Sequence, residues 1–350
     1  MRKTVLTLLT LAALTGQAAA QSPDERIRAV ISSTMDAVRV VHYQRGYDRD
    51  REEQTERQTK TVRLGTNGEL DVSNISGDIV ISRGDGDTAT IEIVKRSRSR
   101  TADDARELLR LVQVDIVERN NRAEVRTRYP SGDERQRNNR RNFNVSVAYN
   151  ITAPAGTRVT VKSISGNVKA SEIKGDISAE SISGNIRLAS AGRIAAAKSV
   201  SGTIEISDTQ VDGALQAGSV SGSVILRKVR AGRVTIESVS GSVMMADLDC
   251  ERVAAHSFSG DVQFAGPIAK NGRYELKSHS GEIRLAIDGT TGFELDANSF
   301  SGSLRSDLSL VTGGDAGRAG RRRTLHGVYG DGSAMIDITT FSGSVVLTKR

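Results

Sequence analysis

The side chains able to carry chemistry are few and far apart in this chain. Acid–base cleavage of a polysaccharide on a repeat scaffold needs two carboxylates on neighbouring coils of one outer face. The nearest approach is Asp208 and Asp247, each six residues after a periodically returning glycine. They fall two repeats apart, and Lys228 holds the equivalent place between them, which reads as scattered surface charge. His279 stands where the other repeats carry Ile, Val or Phe, so it reads as a neutral imidazole packed between Phe258 and Phe300. No Cys/His spacing suits zinc, no Asp/Gly nonapeptide suits calcium, and no glycine loop suits a phosphate. Neither a catalytic residue nor a cofactor is expected. Cys250 is the single cysteine, so no internal disulfide can form; it reads as a small residue near a corner of the chain.

Charge offers a second kind of chemistry. The formal net charge of +7 is concentrated in Lys95–Arg100, Arg135–Arg141 and Arg318–Arg323. Arg318, Arg321, Arg322 and Arg323 are the candidates for binding an anionic surface. No aromatic residues interleave with these arginines, so nucleic acid is not expected. An anionic envelope polymer, a lipid headgroup or another envelope protein are the partner classes left.

The element that must position all of these is a repeat, Ser-Φ-Ser-Gly-x-Φ-x-Φ, where Φ is apolar. Its glycines are Gly77, Gly166, Gly184, Gly202, Gly222, Gly241, Gly260, Gly281, Gly302 and Gly343. From Gly166 to Gly302 they return every 18 to 21 residues. A period near 20 builds a unit that cannot bury its own apolar face and must stack on its neighbours. Each period carries two Φ-x-Φ alternations and two glycine-containing bends, as in Val220–Val239. The expected fold is therefore all-β: a parallel β-solenoid with two short strands per coil of about 20 residues. Eight or nine coils at about 4.8 Å each give a rod roughly 40 Å long. The first Φ of each repeat (Ile164, Ile182, Val200, Val220, Val239, Phe258, His279, Phe300, Phe341) is expected to point inward, its flanking serines outward or into the bend. The aromatic members then imply a wider interior where the coils lengthen.

Around the repeats the chain divides further. Residues 1–20 have the basic start, short apolar run and Ala-rich end of a signal peptide cleaved near Ala20, with no permanent membrane span. Residues 21–60 hold an amphipathic helix near 23–42, opened by Ser22-Pro23-Asp24-Glu25, and a charged stretch, 43–60, that reads as a linker. Residues 61–153 read as a β-rich capping section with a short helix at 102–111 and a hairpin at Asn120-Asn121. Residues 154–350 carry the solenoid repeats, interrupted by a Gly/Arg-rich insertion at 312–332, and the last strand ends in charge that protects an open edge.

Leu70–Ile81, Tyr149–Val161, the serial Ser-Φ-Ser-Gly copies and the closing Ile336–Leu347 together resemble the bacterial putative-adhesin family. That resemblance covers about residues 60–350 and implies an exported β-solenoid of unknown function with no catalytic residues to carry over. The resulting expectation is a non-enzymatic binding or structural module of the cell envelope, periplasmic, surface-bound or secreted. The alternatives are a polysaccharide-active solenoid enzyme and an envelope-stress or cationic surface-binding module.

Overall fold

The computed structural model describes residues 51–130, 143–311 and 324–350. The signal peptide, the helix near 23–42, the basic stretch 131–142 and Arg318, Arg321, Arg322 and Arg323 lie outside the described residues.

The described chain is all-β apart from one helix, Ala102–Leu111, and its strands join in one long sheet wrapped into a solenoid-like body. Alternation sets its inside and outside. In the coil around Gly222, Val224, Leu226, Val229, Ala231, Val234 and Ile236 are all buried, while the residues between them are not. Equivalent residues stack in parallel register, Ile204 on Val224 on Val243 and Leu215 on Val234 on Val253. Fully burying each such aliphatic side chain is worth about 1.5–3 kcal/mol, and the core runs without a break from the capping section to the last coil.

The glycines close the first bend for a reason of space. A Cβ built on Gly184, Gly202, Gly222, Gly241, Gly260 or Gly281 collides with the carbonyl oxygen of the glycine one coil before it. Of the ten, only Gly77 and Gly166 have positive φ, so the left-handed freedom of glycine is not what the bend requires. Left-handed residues occupy the second bend instead: Glu172, Ser190, Asp208, Lys228 and Asp247, with φ of 49–61°. In the coils of Ile204–Ser219, Val224–Ser238 and Val243–Ser257 that second bend is absorbed into one continuous strand of 15 or 16 residues.

Both ends depart from simple stacking. At the start, Glu52–Arg63, expected as part of a linker, is a strand paired antiparallel with Thr88–Ser99. Its polarity reflects an outermost strand with almost every side chain exposed. Thr88–Ser99 pairs antiparallel with Val145–Pro154, which runs parallel to the first coil at Ile79–Gly84. The helix Ala102–Leu111 is capped by Thr101, whose side chain accepts from the Asp104 N–H, and it buries Ala105, Leu108 and Leu109. The hairpin Gln113–Arg119/Arg122–Arg128 turns at Asn120 and Asn121, φ 43° and 62°, the conformation of a type I′ turn.

At the other end the coils stack out of chain order. Ala334–Thr340 pairs with Arg273–Ser278 on one side and Phe293–Ser299 on the other. Likewise Val345–Lys349 lies between Ile283–Asp288 and Leu304–Ser306. The last strand is therefore interior, not the exposed edge expected of it. Part of the 312–332 insertion, Thr324–Tyr329, forms an antiparallel strand on Phe293–Ser299 and covers the outermost coil.

Candidate functional site: an outward apolar ladder

The structure inverts the expected sense of the Ser-Φ-Ser corner. Ser219 is 5% exposed and Val220 is 49% exposed, and the same holds at the other repeats. The first serine completes the inward alternation that runs through Leu215 and Ala217, and the apolar residue after it must face out. In most coils the buried hydroxyl finds a partner, those of Ser181 and Thr340 being the exceptions among the described residues. Ser219 donates to the Gly202 carbonyl at 3.2 Å, Ser257 to Gly241 at 3.1 Å and Ser278 to Gly260 at 3.1 Å. The aromatic rungs expected inside are exposed, and the large buried rings along these coils are Phe264, Tyr274 and Phe293 instead.

The outward column follows the spatial order Ile75, Ile164, Ile182, Val200, Val220, Val239, Phe258, His279, Phe341, Phe300. Backbone hydrogen bonds carry the ladder through the bend itself: Val239 N–H donates to Ser219 O at 3.2 Å and Ser240 N–H to Val220 O at 2.8 Å. His279 packs between Phe258 and Phe341, at 4.7 and 4.9 Å between ring centroids; Phe300, expected as its neighbour, stacks beyond Phe341 at 4.8 Å. The inserted last coil is the cause. All three pairs lie within 7° of parallel. Faces turned toward one another leave edges outward, a poor platform for sugar rings.

Ile75 to Phe258 line a groove of about 1100 Å³. Its other wall carries Lys162, Glu180, Lys198, Glu237 and His256. Their alternating sign gives no net cationic field. At the groove's first end the corner serine is replaced by Asn74, which donates to Val147 O at 2.8 Å and Gly77 O at 2.9 Å. Thr127 donates to Asn74 Oδ1 at 2.9 Å, leaving Tyr149 to donate to Thr127 at 2.6 Å. Burial pushes the Tyr149 hydroxyl up to about 12.

The residues considered for other chemistry are not brought together. Asp208, Lys228 and Asp247 occupy successive second bends, and Asp247 pairs with Arg350 at 2.8 Å. Beside the groove, Glu275 and Lys277 form an ion pair that lowers the carboxyl and raises the ammonium, with His256 Nε2 at 3.5 Å from Glu275. Cys250 is buried, its thiol donates to Arg252 O at 3.1 Å, and burial pushes it up to about 11. That is the environment of a packing cysteine, not a nucleophile. Among the described residues no cluster of three or more His, Cys, Asp and Glu could hold a metal, and no helix is long and apolar enough to cross a membrane. In the first basic run, Lys95 and Arg98 pair with Glu56 and Glu53.

The fold and its outward ladder define an all-β, solenoid-like repeat protein whose distinctive surface is apolar. The chain belongs to the Toastrack DUF4097 family, whose model matches residues 67–348, in line with the resemblance read from the repeats. No curated protein matches it. Among solved structures it is similar to a "putative lipid binding protein" of Parabacteroides distasonis, at 12% identity and TM-score 0.43 over 83% of this chain and 96% of that one. It is also similar to a "putative adhesin" of Bacteroides fragilis, at 12% identity and TM-score 0.38 over 83% and 97%. A third likeness is a "putative cell adhesion protein" of Clostridium sporogenes, at 9% identity and TM-score 0.24 over 85% and 100%.

Proposed function

We propose that this protein is an exported, non-enzymatic binding module of the cell envelope, a parallel solenoid of two-strand coils that engages another envelope protein through its outward ladder. One observation carries this reading. Ten exposed rungs, nine of them apolar and the tenth His279, stand in register along one corner, and an apolar strip of that extent is what interaction surfaces present. The polar wall beside it alternates in sign, which favours a partner with an apolar face over an anionic polymer or a lipid headgroup. The signal peptide at 1–20 supplies the route out of the cytoplasm. The arginines at 318 and 321–323 then serve solubility or a secondary contact.

The test is retention of the mature protein in washed envelope fractions. Replacing Ile182, Val200 and Val220 together by serine is expected to release it, with the folded state intact by circular dichroism. Replacing Arg318, Arg321, Arg322 and Arg323 by alanine is expected to change retention little. The opposite pair of results would hand the role to the arginine cluster.

A further inference from the structure

The two ends of the described body finish their strands differently. At the far end Thr324–Tyr329 lies over Phe293–Ser299, and the neighbouring face stops at Leu304–Ser306, only three residues long. At the near end the outermost strand, Glu52–Arg63, has twelve residues. It pairs with Thr88–Ser99 in an unbroken register, contains no proline, and has no strand on its other side among the described residues. Leu64 N–H donates to Asp87 O at 2.9 Å, beside Thr88, whereas Arg63 N–H turns the other way, to Glu118 Oε1 at 3.1 Å. Successive N–H groups of a strand face opposite sides. Those of Glu53, Thr55, Arg57, Thr59 and Thr61 therefore point off the sheet, with no partner among the described residues. An unpaired edge of that length is a template for another strand, and chains that stay single shorten, bulge or cover it.

The edge also carries its own complement. In an antiparallel pairing about a two-fold axis normal to the sheet, each residue meets the one equally far beyond the axis. With the axis at Gln58, Glu53 meets Arg63 of the partner subunit, Glu56 meets Lys60 of the partner subunit, and Thr55 meets Thr61 of the partner subunit. Symmetry makes every such pair twice, and opposite charges facing across strands attract. These pairs extend rows already present: Arg98 bonds Glu53 at 2.7 Å, Lys95 bonds Glu56 at 3.4 Å, and Arg63 bonds Asp87 at 3.0 Å. A row of alternating sign then crosses the seam, from Arg98 through Glu53 and the partner's Arg63 to the partner's Asp87. Moving the axis to Arg57 or to Glu56 would set a charge opposite its own copy.

We propose that a second copy of this chain occupies the edge, Glu52–Arg63 lying antiparallel to its equivalent about Gln58, so that one sheet runs unbroken through two bodies set base to base. Strand addition of this kind takes its affinity from main-chain hydrogen bonds and its register from the side chains. Here Arg57 with the partner's Thr59, and Thr55 with the partner's Thr61, exchange the bonds that the free N–H groups lack. The seam lies apart from the apolar ladder. Because the axis is normal to the shared sheet, it carries the ladder from one margin of that sheet to the opposite margin in the second copy. The dimer therefore presents two open strips, and engaging both raises avidity without any new contact.

Cys250 is buried, so Gln58→Cys gives the mature chain an accessible thiol of its own. In the proposed register residue 58 faces its copy as a non-hydrogen-bonded pair, with Cα atoms about 4.5 Å apart, a separation that a disulfide spans. Oxidised glutathione is expected to join two chains through it. Glu56→Cys, about 14 Å from its copy in the same register, is expected to give no linked dimer. In parallel, sedimentation of the unsubstituted mature chain is expected to show dimers at micromolar concentration. Thr55→Pro with Thr59→Pro strips two outward N–H groups, leaves the ladder to Thr88–Ser99 whole, and is expected to weaken the dimer tenfold or more. A monomer at every concentration, equal linkage from the two cysteines, or a dimer indifferent to the prolines in a chain that still folds each overturns the proposal.

Discussion

Two kinds of bend recur along the coils, and they obey different rules. At the first bend the chain approaches the coil before it so closely that only glycine fits. The second bend needs a left-handed residue and accepts Glu, Ser, Asp or Lys, because the constraint there is conformational and the side chain is free to be anything polar. Crowding writes a strict signal into a sequence; conformation alone writes a loose one.

The largest effect expected to test this contrast is alkaline. The serines and glycines of the first bend do not titrate, and its one ionisable rung is His279. Tyr274, by contrast, braces the turns after the second bend, donating to Cys250 O at 2.7 Å and accepting from Ala269 N–H at 2.8 Å. Burial pushes Tyr274 up to about 12 and Cys250 up to about 11, from 10.0 and 9.0. Both are neutral when folded, so the stability they contribute is complete below pH 9 and is withdrawn as pH climbs to 11–12. Denaturant titrations from pH 8 to 11.5 should show a steepening loss; a flat profile would mean these groups are already solvated.

Next in size is Gly202→Ala, which drives a methyl into the Gly184 carbonyl and should cost about 3 kcal/mol in chemical denaturation. Ser219→Ala removes the hydroxyl that satisfies the Gly202 carbonyl and should cost about 1 kcal/mol. Lys228→Gly, at φ 51°, relieves a left-handed lysine and should gain about 0.5–1 kcal/mol. A loss there would dissolve the distinction between the bends. Smallest of all, Val220→Ser on the outward side should move stability by no more than about 0.5 kcal/mol while weakening envelope retention.

That contrast also explains what the sequence let one read. The repeat period, the family, the Thr101-capped helix and the Asn120-Asn121 hairpin were legible because each rests on local chemistry. The ladder's direction was misread because Ser-Φ-Ser alternates either way, and a shift of one residue exchanges inside for outside. A usable signal was present: Val234, Ile236 and Ser238 share a parity that Val239 does not. Trusting that the apolar residue must be inside hid it. The interposed last coil left almost no local trace, since Ala334–Lys349 departs from the other repeats only in opening its corner on Thr340 in place of serine. Glu52–Arg63 escaped notice because an outermost strand exposed on both faces has no apolar alternation to show.

The interposed coil also imposes an order of events on biosynthesis. Residues 293–306 are made before residues 334–349, yet reach their place only across them. The far end of the tower must therefore stay ajar while the rest assembles behind it, and it shuts like a drawer on the last segment to emerge. A polypeptide cut short before that segment would carry a well-formed lower body under an unroofed top, and so would advertise its own incompleteness to any protease nearby.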